Sequence, residues 1–145
     1  MTDKKTEEVT EEVKAEEVKV DEDNPEVVLK GALAEQPGRP PEDQIEEWKA
    51  EHGEVSLFGF SEEDLYIFRP LMRGEYSALQ RKMVEEQLDQ LQWEELVLTT
   101  VVLYKSQDVP WSKAKAGTCS TLLELVMVGS NFFNPQVAAT LVVRL

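Results

Sequence analysis

The amino-acid sequence predicts a small, mostly α-helical domain with one β-hairpin, an α+β fold, preceded by a disordered acidic N-terminal arm. Three observations lead to this prediction. The first 36 residues are dominated by Glu, Lys, Val and Thr and contain no aromatic residue. Two short apolar runs then flank a polar turn, and apolar residues recur at helical spacing in much of the remaining chain. We therefore divide the chain into an arm with its linker (residues 1–40) and one folded domain (residues 41–145).

The arm repeats the tripeptide Glu-Glu-Val at residues 7–9, 11–13 and 16–18. A segment with so many charges and so few large apolar groups cannot bury enough surface to offset its ordering entropy, so we expect disorder up to residue 36. Residues 24–31 form a more apolar island, which leaves open a short ordered docking element. The linker at residues 35–41 contains three prolines and a glycine, a composition that favours an extended, semi-rigid backbone.

The hairpin is predicted from two runs rich in β-branched and aromatic residues, 54–58 and 65–68, with an irregular turn at residues 59–64. Pro70 ends the second strand because proline has no N–H to donate to a strand ladder.

Apolar residues at three-to-four spacing predict the helices, and capping residues set their ends. Pro41 at a first-turn position and Gly53 after the last turn bound the first one. The segment at residues 92–105 is apolar on most sides; we interpret it as a buried helix, with a strand as the alternative. Asn134 and Pro135 start the last helix as N-cap and N1. The predicted helices are residues 41–51, 73–90, 92–105, 121–128 and 135–145.

Charge and cysteine content exclude several classes of function. The net charge is −14, with 29 acidic against 15 basic residues, and no basic run could neutralise a nucleic-acid backbone. The acidity is explained by solubility more simply than by mimicry of DNA. A single cysteine, Cys119, forms no intramolecular disulfide and fits a reducing compartment. Residues 1–30 contain no apolar core of a signal peptide, and no stretch approaches the 18 uncharged apolar residues of a membrane helix, so we expect no membrane partner.

Residues with catalytic potential are few, and each has a simpler structural explanation. His52 is the only histidine and follows a predicted helix, where it interacts with the negative end of the helix dipole. Cys119, Ser61 and Ser120 lack the neighbouring residues that activate a nucleophile. Adjacent glutamates are frequent and solvated, so none of these pairs indicates a catalytic dyad or a metal site. The sequence predicts no enzyme, no cofactor and no metal centre.

Aromatic residues concentrated around the hairpin are the best candidates for a binding surface. Some of them must fill the core, and a large apolar patch left at the surface would mark a protein–protein interface. We expect Phe58, Phe60 and Tyr66 to be partly exposed partner-binding residues, and Phe68, nearer the helix junction, to be buried. Self-association is an open alternative.

Short motifs at residues 50–135 resemble a group of phage proteins. They are Tyr66-Ile-Phe-Arg-Pro-Leu71, Arg73-Gly-Glu-Tyr76, and Ala116-Gly-Thr-Cys-Ser-Thr-Leu-Leu-Glu-Leu125 followed by Gly129-Ser-Asn-Phe132. This region is similar to the tail-assembly chaperones and baseplate-hub assembly proteins of tailed bacteriophages, except that Met72 stands where a capping threonine is usual.

The resemblance implies a non-enzymatic factor in the cytoplasm of an infected bacterium. It would hold an apolar segment of a larger tail protein, such as a tape-measure or hub component, through a groove or a strand edge. Two alternatives remain: a minor structural protein of the tail or baseplate in the virion, and an acidic inhibitor that mimics DNA.

Overall fold

A computed structural model describes residues 24–145 of the chain. Within these residues it contains six α-helices and a three-stranded antiparallel sheet, which confirms the predicted α+β class. The elements, in chain order, are α1 (Pro25–Glu35), α2 (Glu42–His52), β1 (Ser56–Ser61), β2 (Asp64–Phe68), α3 (Arg73–Glu85), α4 (Gln90–Val101), β3 (Val102–Lys105), a 3-10 turn (Trp111–Lys113), α5 (Thr118–Gly129) and α6 (Pro135–Thr140).

The sheet has the order β1-β2-β3, with the central strand β2 antiparallel to both neighbours. In the predicted hairpin Phe58 lies opposite Tyr66 and Gly59 lies opposite Leu65. The register then shifts between Gly59 and Ser61, which leaves Phe60 at a β-bulge next to the turn. Because side chains alternate along a strand, β2 presents different residues to the two faces of the sheet.

One face of the sheet, called here the core face, carries Tyr66 and Phe68. These side chains belong to the main hydrophobic core together with residues of α4 and α5. The fully buried members from these helices are Val97, Leu98, Val101, Leu122 and Val126. The Ser130 hydroxyl, which accepts from the Leu71 N–H at 2.8 Å and donates to the Val126 carbonyl at 2.6 Å, ties the end of α5 to the segment after β2. The sheet and the helices that follow it therefore form one packed unit.

The opposite face, called here the outer face, carries Leu65 and Ile67, which are also buried but lie outside the main core. Helix α1 packs against β1, and a methyl group of Leu29 approaches the backbone of Gly59 beside Leu65. A methyl group built at Gly59 would lie only 2.8 Å from that leucine carbon and 2.6 Å from a methyl carbon of Leu65, so glycine permits the close approach. Ala32 of α1 is buried as well.

Helix α1 corrects the predicted extent of the disordered arm. Up to residue 23 that arm lies outside the described residues, but the prediction is wrong for residues 25–35. The Asn24 side chain caps the helix by accepting from the Glu26 N–H at 2.9 Å, and Pro25 occupies its first turn. Partly buried Val28, Leu29 and Leu33 form one apolar stripe with Ala32. Burial of this stripe on the sheet stabilises a helix that composition alone does not predict.

The segment predicted as one buried helix over residues 92–105 is divided between two elements. Helix α4 ends at Val101, and the next four residues form β3. The prediction is therefore wrong for the end of the segment, where the strand alternative holds. The β-branched Val102 suits either element, and pairing with the buried strand β2 decides the outcome.

Several helix ends also differ from their predicted positions. Helix α3 ends at Glu85 rather than residue 90, because Gln87 adopts a left-handed φ of 52° and Asp89 caps the next helix. Helix α5 begins at Thr118, three residues early, without a side-chain cap. Asn134 accepts from the Val137 N–H at 2.8 Å, as expected of an N-cap, but α6 ends at Thr140 and does not continue to residue 145.

Candidate functional site

The hairpin aromatic cluster, defined here as Phe58, Phe60, Tyr66 and Trp111, is the most organised surface feature of the domain. The ring centroids of Phe58 and Phe60 lie 4.9 Å apart in an edge-on arrangement, and Phe60 meets Tyr66 edge-on at 5.9 Å. The Tyr66 ring is stacked on Trp111 at 6.1 Å. These are favourable geometries for aromatic pairs, so the four rings support one another in fixed orientations.

Tyr66 is the member whose predicted role has to be corrected. It is only 5% exposed, so the expectation of a partly exposed anchor is wrong. Burial raises the pKa of its phenol above the ordinary value, and the neighbouring Asp64 carboxylate adds to this shift. The misjudgement has a physical cause: the Tyr66 ring stacks on Trp111, which lies 45 residues further along the chain, and it shares the main core with residues of α4 and α5. Tyr66 therefore contacts Phe60 and Trp111 from the buried side of the cluster. Phe68 is buried, as expected.

Trp111 was not among the partner-binding residues predicted from the sequence. It lies in the 3-10 turn after Pro110, and the Lys105 ammonium group lies 4.3 Å from its ring centroid. A cation at this distance is attracted by the electrons of the indole face and holds the ring in place. The available signal was an aromatic residue beside proline in a polar loop, which indicates a tethered ring.

Phe60 is the exposed member of the cluster, with 41% of its surface accessible. The bulge between Gly59 and Ser61 places it at the end of the hairpin, and bulges commonly re-aim a side chain at the margin of a sheet. Phe58, one of the other predicted partner-binding residues, is half-buried beneath it. The structure thus brings the three predicted residues together, but it offers Phe60 as the ring most available for contact.

A second feature is the polar junction after β2. The Arg69 guanidinium binds both carboxylate oxygens of Glu75, at 2.8 and 2.7 Å, and also donates to the Thr100 carbonyl at 3.2 Å. The hydrogen-bonded guanidinium holds the pKa of Glu75 below its ordinary value. A cavity of about 360 Å³ lies beside this pair and is lined in part by His52. Because the Arg69 guanidinium is already hydrogen-bonded to Glu75 and to the Thr100 carbonyl, it joins elements of the domain and is not free to bind a ligand.

The residues considered for catalysis lie in three different elements, α2, β1 and α5. His52 is the last residue of α2, where its imidazole lies 3.8 Å from the Glu51 carboxylate. The Cys119 thiol has a raised pKa, mainly from burial and secondarily from the nearby Glu94 and Glu95 carboxylates, which keeps it protonated and weakly nucleophilic. Ser61 accepts from the Glu63 N–H in the hairpin turn. No group of three or more His, Cys, Asp or Glu residues within residues 24–145 is arranged to hold a metal ion.

A third feature is an exposed surface, the C-terminal apolar segment, defined here as residues 128–145. It contains more than half of the large apolar side chains that are exposed in the described part of the chain. At its start Phe132 contacts Tyr76, with ring centroids 5.0 Å apart, and it is as exposed as Phe133, at 41%. Sequence reasoning assigned the end of this segment to a helix and did not identify it as a binding surface.

Comparisons of the chain with protein-family models, with curated proteins and with solved structures found no significant match. Among residues 24–145, no helix combines the length and apolar character needed to cross a bilayer.

Proposed function

We propose that this protein is a non-enzymatic assembly factor that binds an apolar segment of a larger protein through the hairpin aromatic cluster. The observation that carries the proposal is the exposed Phe60 ring, held at a bulge by edge-on contacts with Phe58 and Tyr66. An exposed ring that is already fixed loses little conformational freedom when a partner covers it. The hairpin therefore has the properties of a preorganised anchor.

The motifs at residues 66–76 and 116–132 support a tailed-phage context for this activity. In that context the client is a tape-measure or hub component of the tail, and the factor acts in the cytoplasm of the infected bacterium. The net charge of −14 keeps the factor soluble while it covers the apolar surface of its client.

The binding energy is expected to concentrate at one ring. A central aromatic anchor that becomes fully desolvated contributes about 2 kcal/mol or more, whereas residues around it mainly exclude water. Half-buried Phe58 and Trp111 contact the client segment beside Phe60. Buried Tyr66 packs behind these rings, inside the domain.

The test is co-expression of the chain with the tape-measure or hub protein encoded nearest to it, followed by affinity measurement on the purified complex. Phe60→Ala should weaken binding about 30-fold, which corresponds to the loss of about 2 kcal/mol. Phe133→Ala is the matched control, because this ring is equally exposed but lies outside the cluster. Unchanged binding by Phe60→Ala, with the variant still folded, would exclude the hairpin as the anchor.

Mass spectrometry of purified particles then tests the role itself. An assembly factor is depleted from mature particles, since its client segment is covered by other subunits after assembly. Recovery of the protein in a fixed ratio to known tail components would replace this proposal with that of a structural tail or baseplate protein.

A further inference from the structure

The end of the C-terminal apolar segment has the sequence of a β-strand without a partner. Residues 141–145 read Leu-Val-Val-Arg-Leu, a run with high β-propensity, no glycine and no proline. Val142 and Val143 are 76% and 80% exposed. No backbone hydrogen bond joins residues 143–145 to any other described part of the chain. Such a run gains stability when a free strand edge pairs with it.

The sheet contains a matching free edge. Strand β1 is paired on one side with β2, and its outer edge has no backbone partner among residues 24–145. Helix α1 contacts β1 near Gly59, where its Leu29 side chain lies beside Leu65 of the outer face, and it makes no backbone hydrogen bond to this edge. The other edge of the sheet, on β3, is shorter at four residues against six.

Charge distinguishes the two edges further. Arg144 is the only charged residue in the run, and no acidic residue follows Glu124 in the chain. Strand β1 carries no charge but is flanked by Glu54 and Glu62, whereas β3 contains the like-charged Lys105. Two copies of a chain with net charge −14 repel each other, so they associate best where one contact surface lacks acids. The β1 edge and residues 141–145 satisfy this condition.

We propose that residues 141–145 of one copy add as a fourth strand to the outer edge of β1 in a second copy. Five residues extended at about 3.3 Å each span most of the edge that six residues of β1 offer. The ladder supplies the backbone hydrogen bonds, and Arg144 meets an acidic residue at one end of β1. Exchange of both segments closes a two-fold dimer, and one-way addition continues into longer oligomers.

The first experiment measures the mass of the isolated chain by sedimentation over a range of concentrations at about 0.15 M salt. The wild type should associate, and Val143→Asp should be monomeric because it places an acid in the ladder. Val84→Asp is the matched control, since Val84 is similarly exposed on α3, and it should associate like the wild type. A wild-type chain that stays monomeric at about 1 mM overturns the proposal, as does equal association by the Val143→Asp variant.

A charge exchange then locates the edge. Arg144→Glu should weaken association about fivefold or more, the upper range for an exposed ion pair. Adding Glu54→Arg or Glu62→Arg should restore it, and whichever residue succeeds fixes the direction of the added strand. Failure of Arg144→Glu to weaken association, or of both reversals to restore it, overturns the assignment to β1. These measurements use no client protein, so their outcome is independent of the proposed assembly role.

Discussion

The two faces of the sheet are buried to a similar degree, but by different means. On the core face Tyr66 and Phe68 join a large core with α4 and α5. On the outer face Leu65 and Ile67 lie outside that core, and α1 covers the end near Gly59. The continuous apolar run of β2 reflects this arrangement, because a strand covered on both sides has no polar face. The apolar sequence of β2 therefore indicated that another segment of the chain covers the outer face of the sheet.

The difference between the faces lies in how their covering elements are connected. Helices α4 and α5 are packed against each other as well as against the sheet. Helix α1 is joined to the rest of the domain through a linker rich in proline and glycine and has one buried residue. Loss of a contact on the core face should therefore destabilise the whole domain, whereas loss of a contact on the outer face should release α1 first.

Leu122→Ala should have the largest effect, since its side chain is completely buried in the main core. Truncation of a buried leucine removes apolar burial and leaves a cavity, at a cost of about 2–5 kcal/mol in the free energy of unfolding. Urea denaturation measures this change. Leu91→Ala, at an exposed position of α4, should remain within about 0.5 kcal/mol of the wild type. A small effect of Leu122→Ala would contradict the expectation that contacts on the core face contribute more to the free energy of unfolding than contacts on the outer face.

Leu29→Asp should have an intermediate effect, of about 1–3 kcal/mol, because it places a charge against the outer face beside Gly59 and Leu65. Amide exchange should show that α1 loses protection while α4 and α5 keep theirs. Val27→Asp is the matched control on the exposed side of the same helix and should preserve the protection of α1. Equal loss of protection throughout the domain would mean that α1 unfolds only together with the core.

The features that were predictable from the sequence depend on residues close together in the chain. Pro70 ends the hairpin, and Asn134 with Pro135 starts α6, because capping and proline chemistry act within a few residues. The α+β class followed from these signals together with helical periodicity. Phe60 was likewise assigned correctly to the exposed surface, since it adjoins the polar turn.

The features that were not predictable depend on partners distant in the sequence. Strand β3 exists because β2 offers an edge to a valine-rich segment that would otherwise continue as helix. Tyr66 is buried against Trp111 and the core residues of α4 and α5, and α1 is ordered because Leu65 and Gly59 provide a surface for it. In each case tertiary contact overrides a local preference that is weak or ambiguous.

Glu75→Gln should have the smallest effect on the free energy of unfolding. It tests a polar contact, whereas the two preceding substitutions test apolar ones. Arg69 follows β2 directly and is hydrogen-bonded to Glu75 at the start of α3 and to the Thr100 carbonyl in α4, so it joins the elements around the core. The Arg69 side chain is 11% exposed and that of Glu75 is 33% exposed. Solvent therefore screens part of the interaction, and its loss should lower the free energy of unfolding by about 1 kcal/mol at neutral pH.

The pH dependence identifies the ion pair as the cause. Hydrogen bonding to Arg69 lowers the pKa of Glu75 in the folded chain, so the unfolded chain takes up a proton first as the pH falls. The stabilisation is complete above the unfolded pKa of about 4.3 and is lost as the pH falls through the lower folded pKa. The difference in stability between wild type and Glu75→Gln should therefore shrink in this acidic range. Glu26→Gln, in an exposed pair with Lys30 on α1, should change stability little at any pH. A Glu75→Gln difference that persists undiminished to about pH 2 would attribute the effect to packing and not to charge.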